Sequence, residues 1–220
     1  MDARVGEERD RAAAAAVLHV ADGMVVGLGS GDTARRAIRQ LGARRLAISA
    51  VATSEESAAL ARAVGITVRA PEEVAALDLT IDGADEIDPA LRLIKGGGAA
   101  HTREKLVARA SRQLIIVADA AKRVSRLGER MRLPVELLPF AATWTLARLG
   151  RMGLEPRLRG GVVTDNGNLI ADCALAAGVA LPELAAAIKG EPGVVEHGLF
   201  LDEATLAYVG DADGVSRLTR

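Results

Sequence analysis

The stretch IKGGGAAHTREK, residues 94–105, sets a lysine, three consecutive glycines and, six residues further on, a carboxylate close together. Three glycines in a row cost backbone entropy. They suit a loop whose N–H groups line a small ligand before opening a helix. Lys95 supplies a mobile positive charge for an oxyanion or phosphate, with Gly96, Gly97 and Gly98 as the amide donors. Glu104 lies one to two turns into the following helix, where it can be aimed at a ligand held by the loop. The plainer alternative is a surface glutamate paired with Arg103 or Lys105.

LTIDGADEID, residues 79–88, places Asp82 and Asp85 three apart at the end of an apolar run, with Gly83 and Ala84 between them. Two carboxylates at a strand's end can bind a metal, hold sugar hydroxyls, or act as acid and base. They can also be no more than an acidic loop with helix caps. GLGSGDTA, residues 27–34, spaces three glycines at alternate positions, as where a backbone must approach something closely. It is not a G-x-x-x-x-G-K-[ST] loop, and no acidic residue stands at the ribose-binding distance of a dinucleotide fold. Ser30 and Thr33 are neutral donors for a phosphate, and Asp32 is a charge of the wrong sign beside them. In VADAAK, Lys122 follows a strand; it is either solvated or reaches the ligand of Lys95.

Such residues need elements to hold them. The chain has 220 residues, 50% hydrophobic and 2% aromatic, so its core is built of Ala, Val, Leu and Ile. A net charge of -1 gives no general nucleic-acid surface. One cysteine, Cys173, excludes an internal disulfide, and three dispersed histidines argue against a zinc site. No signal-peptide layout opens the chain, and no apolar run reaches the ~18 residues of a membrane span. A cytoplasmic location follows as an expectation.

Strand and helix patterns alternate through residue 120. The reading runs from an Ala-rich helix over about 7–20 and a strand in GMVVGLG to a final strand in RQLIIVADA. The alternation predicts an α/β fold: a mostly parallel, Rossmann-like sheet flanked by helices, with ligands beyond the carboxyl ends of the strands. ITVRA, LDLTIDGAD and LRLIKGGG read as further strands of this series. After about residue 128 the pattern changes. LPVELLPF leads into a helix, EPRLRG and VVTDNGNLIADC read as strands with a turn at 165–167, and GVVEHGLF as a strand. This predicts a first α/β domain of residues 1–127 plus 200–220, and a smaller α+β domain of residues 128–199. ATLAYVG returns to the first sheet.

In order, GLGSGDTA, IDGADEID, LIKGGGAAHTREKLVA, VADAAK, LPVELLPFA and VVTDNGNLIADC resemble the type A ribose-5-phosphate isomerases over nearly the whole chain. The resemblance implies a two-domain α/β fold in which residues 1–127 plus 200–220 are the catalytic domain and residues 128–199 lie at a subunit interface, a homodimer or homotetramer, and neither metal nor organic cofactor. It implies interconversion of ribose 5-phosphate and ribulose 5-phosphate, in the pentose phosphate pathway. It makes Glu104 the catalytic base and gives the substrate three loops: Ser30, Gly31, Asp32 and Thr33; Asp82, Gly83, Ala84 and Asp85; and Lys95, Gly96, Gly97 and Gly98. Lys122 is a further contact. A carboxylate can move a proton between neighbouring carbons through an enediolate if a dry site lifts its pKa from about 4.3 toward neutrality.

Two departures stand out. Asp32 replaces the family's usual serine, and an unpaired carboxylate beside a phosphate dianion costs on the order of a kcal/mol. It escapes that cost if it turns away to cap the helix beginning near Thr33. Arg9 lies near a position often held by lysine. Asp32 therefore keeps open a sensor that binds a sugar phosphate without turnover, and a third reading is the same chemistry on a different phosphosugar.

Overall fold

The computed structural model describes residues 3–220. In chain order the elements begin with α1 (Ala3–Val17), β1 (Val25–Leu28), α2 (Gly31–Arg44), β2 (Ser49–Ala52), α3 (Glu55–Ala63), β3 (Thr67–Val68) and β4 (Leu79–Asp82). There follow β5 (Glu86–Ile87), β6 (Leu93–Ile94), α4 (His101–Arg109), β7 (Leu114–Asp119) and β8 (Leu133–Leu137). Then come α5 (Ala142–Arg151), β9 (Arg157–Leu158), β10 (Leu169–Cys173), α6 (Leu181–Lys189), β11 (Val194–His197), β12 (Leu199–Phe200), β13 (Ala204–Gly210) and β14 (Val215–Thr219). Among the described residues no helix is long and apolar enough to cross a membrane.

The chain divides into two compact units, and the first comprises Met1–Ala84, Arg103–Lys122 and Asp202–Arg220. It holds a seven-stranded sheet in the order β14-β13-β7-β4-β1-β2-β3. All neighbours pair in parallel except β14, which returns antiparallel on β13. Continuous apolar strands such as Leu114–Asp119, buried at every residue, are what a sheet covered on both faces requires. The alanines of α1 leave room for close packing: Ala12, Ala13 and Ala16 are fully buried, in one core with Ile38 and Leu41 of α2 and Val117 of β7. Strand order reverses between β1 and β4, so the ends of these two strands flank a topological switch point, where open α/β sheets bind ligands.

The second unit comprises Asp85–Thr102 and Arg123–Leu201. An antiparallel four-stranded sheet, β11-β8-β10-β9, lines a core of Leu133, Val135, Leu137, Leu149 and Ile188. A small sheet, β12-β6-β5, sits in the same unit. LRLIKGGG thus does not extend the parallel series: Leu93–Ile94 pairs antiparallel with β5 and β12. A two-residue strand carries too few side chains to declare its sheet. Residues 85–102 group with this second unit, whereas the strand–helix alternation ran them on with the first. VVTDNGNLIADC is a strand only from Leu169; Thr164–Asn168 is a turn closed by Thr164 N–H on the Asn168 carbonyl, 2.9 Å.

Candidate active site

Ser30 is where separate motifs of the first unit meet. It caps α2 with extended backbone, φ −120°. Its N–H donates to Asp82 Oδ1 at 3.1 Å, and the same oxygen takes the Gly83 N–H at 2.7 Å. Its hydroxyl does not cap its own helix; it donates to Glu104 Oε1. GLGSG, IDGAD and TREK therefore converge on one serine beyond the ends of β1 and β4.

The alternate glycines serve this convergence. The register sets Gly27 opposite Thr80 and Leu28 opposite Ile81. A Cβ on Gly29 would run into the Asp82 side chain and lie 2.6 Å from Asp82 Cα. Gly31, at φ +83°, turns the chain into α2. The close approach is thus to β4, which brings Asp82 under Ser30.

Glu104 is 4% exposed and Asp82 fully buried. The surface-glutamate alternative is overturned: Arg103 turns to Glu55 at 2.9 Å, and Glu104 points inward to Ser30. Asp82 is no helix cap either, since its carboxylate takes the amides that shape the loops after β1 and β4. Gly83 and Ala84 are half-buried.

Asp32 sits in the first turn of α2 and does not cap it. Arg9 of α1 donates from Nη1 to Asp32 Oδ2 at 2.8 Å and from Nε to Asp119 Oδ2 at 2.7 Å. Arg36 Nε reaches the same Asp32 oxygen at 3.5 Å. Burial works to raise the Asp32 pKa, yet the Arg9 hydrogen bond and the charges of Arg36 and Arg9 hold it below its ordinary 3.8. The charge of the wrong sign is thus matched by two guanidinium groups. Thr33 is buried one residue on. Lys122 ends a short 3-10 turn after β7 and is half-buried.

In the second unit, Asp85 Oδ2 accepts the Gly97 N–H at 2.7 Å. Lys95 is 2% exposed, with Nζ 5.5 Å from the centre of the Phe200 ring. Burial confines its head, with the Phe200 ring as one neighbour, which corrects the expectation of a mobile charge. Gly96 is buried and Gly97 and Gly98 are exposed. The remaining acids of IDGADEID are structural. Glu86 accepts the N–H groups of Gly128, Arg130 and Met131 at 2.6–2.8 Å. Asp88 holds Arg92 at 2.6 Å.

Several residues escaped the sequence reading. Asp119 orients Arg9 from a position 110 residues away. Glu136 of β8, fully buried, accepts from Thr102, Thr164, Asn166 and Asn168. Burial opposes its charge, but those hydrogen bonds keep its pKa below the ordinary 4.5. A lone acid inside an apolar strand was the signal that could have found it. Among the described residues no group of three or more His, Cys, Asp or Glu is arranged to hold a metal ion.

A family model described as ribose 5-phosphate isomerase A (phosphoriboisomerase A) matches residues 49–214. The chain is 48% identical to ribose-5-phosphate isomerase A of Thermomicrobium roseum, over 98% of this chain and 96% of the relative. A solved ribose 5-phosphate isomerase A of Methanocaldococcus jannaschii superposes with a TM-score of 0.94 at 38% identity, covering 98% of this chain and 99% of that one. A solved D-ribose-5-phosphate isomerase in complex with phospho-erythronic acid gives 0.95 at 35% identity, with both chains fully covered. On this agreement of sequence, fold and site motifs, the chain belongs to the ribose 5-phosphate isomerase A family.

Proposed function

We propose that the chain interconverts ribose 5-phosphate and ribulose 5-phosphate, with Glu104 as the base. From aldose to ketose, the Glu104 carboxylate removes the proton from C2, giving an enediolate. It returns that proton to C1. The C1 carbonyl becomes a hydroxyl and the C2 hydroxyl a carbonyl, so a second proton passes from O2 to O1. Electrons are only redistributed within the sugar, so the reaction draws on no external oxidant.

The observation that carries this reading is the Ser30 junction: one serine fixes a buried carboxylate through its hydroxyl and is itself fixed by Asp82. A base held in one orientation has its reorganisation cost met before substrate arrives. The start of α2, with Gly31, Thr33 and nearby Arg9, together with Lys122, is assigned to the phosphate. Because Arg9 and Arg36 match Asp32, that residue no longer favours a non-catalytic sensor. On motif resemblance, Asp85, Lys95 and the glycine-triplet amides are assigned to the sugar hydroxyls and the enediolate oxygen.

The protein is further assigned to the cytoplasm as a homodimer or homotetramer. Leu138, Phe140 and Trp144, 47%, 86% and 71% exposed, support association. The chain has only four aromatic residues of the Phe, Trp and Tyr types, and two stand in solvent within five positions.

Incubating the purified protein with ribose 5-phosphate and detecting ribulose 5-phosphate tests the function. A parallel set of five- and six-carbon sugar phosphates tests the substrate. Absence of ketose product, or faster turnover of another sugar phosphate, would overturn the assignment.

A further inference from the structure

The glycine triplet is held by a side chain that no motif announced. Arg159 follows β9, and its N–H donates to the Ile170 carbonyl of β10 at 2.8 Å. Its guanidinium grips Asp172 of β10 with two bonds, Nε–Oδ2 at 3.0 Å and Nη2–Oδ1 at 2.5 Å. The third nitrogen, Nη1, donates to the carbonyls of Gly96 at 3.1 Å and Gly97 at 3.0 Å. From the other side, Asp85 takes the Gly97 N–H at 2.7 Å.

Each peptide is a rigid plane. Fixing the Gly97 carbonyl therefore fixes the direction of the Gly98 N–H. Among the described residues that N–H has no protein acceptor, and Gly98 is exposed. A cation on a carbonyl oxygen also draws density from the amide and strengthens its N–H as a donor. Without such a clamp, three glycines would sample many backbone states. Lysine could not replace it: one ammonium lacks the planar fork that meets a carboxylate and two carbonyls together.

We infer that Arg159, oriented by Asp172, is a positioning residue that holds the Gly97–Gly98 peptide in one orientation, with the Gly98 N–H set for charge that develops on the substrate. The inference rests on the isomerase reading, and on the Gly98 amide serving the enediolate oxygen. It places at residue 159 a contribution to transition-state binding that acts through the loop and not by contact with the sugar.

The test uses the full chain with Arg159→Gln, Arg159→Lys and Asp172→Asn. The measurements are kcat, KM and the inhibition constant of phospho-erythronic acid, a sugar acid whose carboxylate carries charge where the enediolate would. Arg159→Gln lowers kcat/KM by roughly tenfold to 100-fold. It weakens phospho-erythronic acid by a similar factor while KM moves less. Arg159→Lys and Asp172→Asn give smaller losses in the same direction, and Arg159→Gln with Asp172→Asn together are no worse than Arg159→Gln alone. If Arg159→Gln does not fold, the other two variants carry the same comparison.

An inhibition constant within twofold of the parent's overturns the inference, whether or not kcat falls, because loss of active molecules lowers rate without changing an equilibrium constant. A parent protein that makes no ribulose 5-phosphate overturns instead the reading beneath it.

Discussion

The hydroxyl of Ser30 donates to a carboxylate oxygen of Glu104, joining residues 74 positions apart. Neither residue is unusual alone. Joined at the switch point of a parallel sheet, with Asp82 holding the serine amide, they make a carboxylate whose direction is set by the fold.

Replacing Ser30 by Ala removes that hydroxyl and one of the bonds that set the direction of Glu104. The expected result is a fall in kcat of roughly tenfold to 100-fold, with a melting temperature close to the parent's. Steady-state kinetics checks it. An unchanged kcat would show that the hydrogen bond does not orient the base.

Arg9 bridges Asp32 and the nearly inaccessible Asp119. Arg9→Ala strands that buried carboxylate and is expected to cost about 3 kcal/mol of stability. Adding Asp119→Asn should recover part of the loss, because the stranded charge is then gone. Urea unfolding of the single and double variants reads both values. A double variant less stable than Arg9→Ala would contradict charge matching.

Glu136 is held ionised by four donors, with its pKa below 4.5. Its folded pKa is depressed, so its contribution is present above the unfolded pKa and is lost as pH falls through the folded one. Glu136→Gln turns an NH2 group toward asparagine donors and should cost about 1–3 kcal/mol at pH 7. The gap between the parent and the variant should close as pH drops below about 4.5. Melting temperatures across pH 3–8 check this. A gap independent of pH would point to packing in place of charge.

Phe140 and Trp144 precede and begin α5. Substituting both with Ser should shift the mass in solution from a multiple of 22.8 kDa toward one chain. Light scattering coupled to size exclusion measures it. A parent that already runs as a single chain would contradict the assembly.

Much of the first unit was legible because its strands are apolar runs and the helices α2 and α3 begin at Ser30 and Ser54. The return of ATLAYVG to the parallel sheet as β13 was legible for the same reason. β8 was obscured by Pro134 and Pro139, although Pro134 sits within a strand paired on both sides. The motif residues Ser30, Asp82 and Glu104 could be named from chemistry and resemblance. Their supports could not: Asp119 for Arg9, Arg159 for Gly96 and Gly97, and Asn168 for Glu136 act across 110, 62–63 and 32 residues. No local periodicity records such pairs. Asp32 was misjudged for this reason, since its charge is conspicuous in sequence while its partner lies on another helix.

The central claim is that Glu104 carries the proton. Glu104→Gln keeps the shape and removes the basic oxygen, so turnover of ribose 5-phosphate should fall by about 100-fold to 10,000-fold while phospho-erythronic acid binds within a few-fold of the parent. A Glu104→Gln protein that isomerises ribose 5-phosphate at near the parental rate would contradict the account.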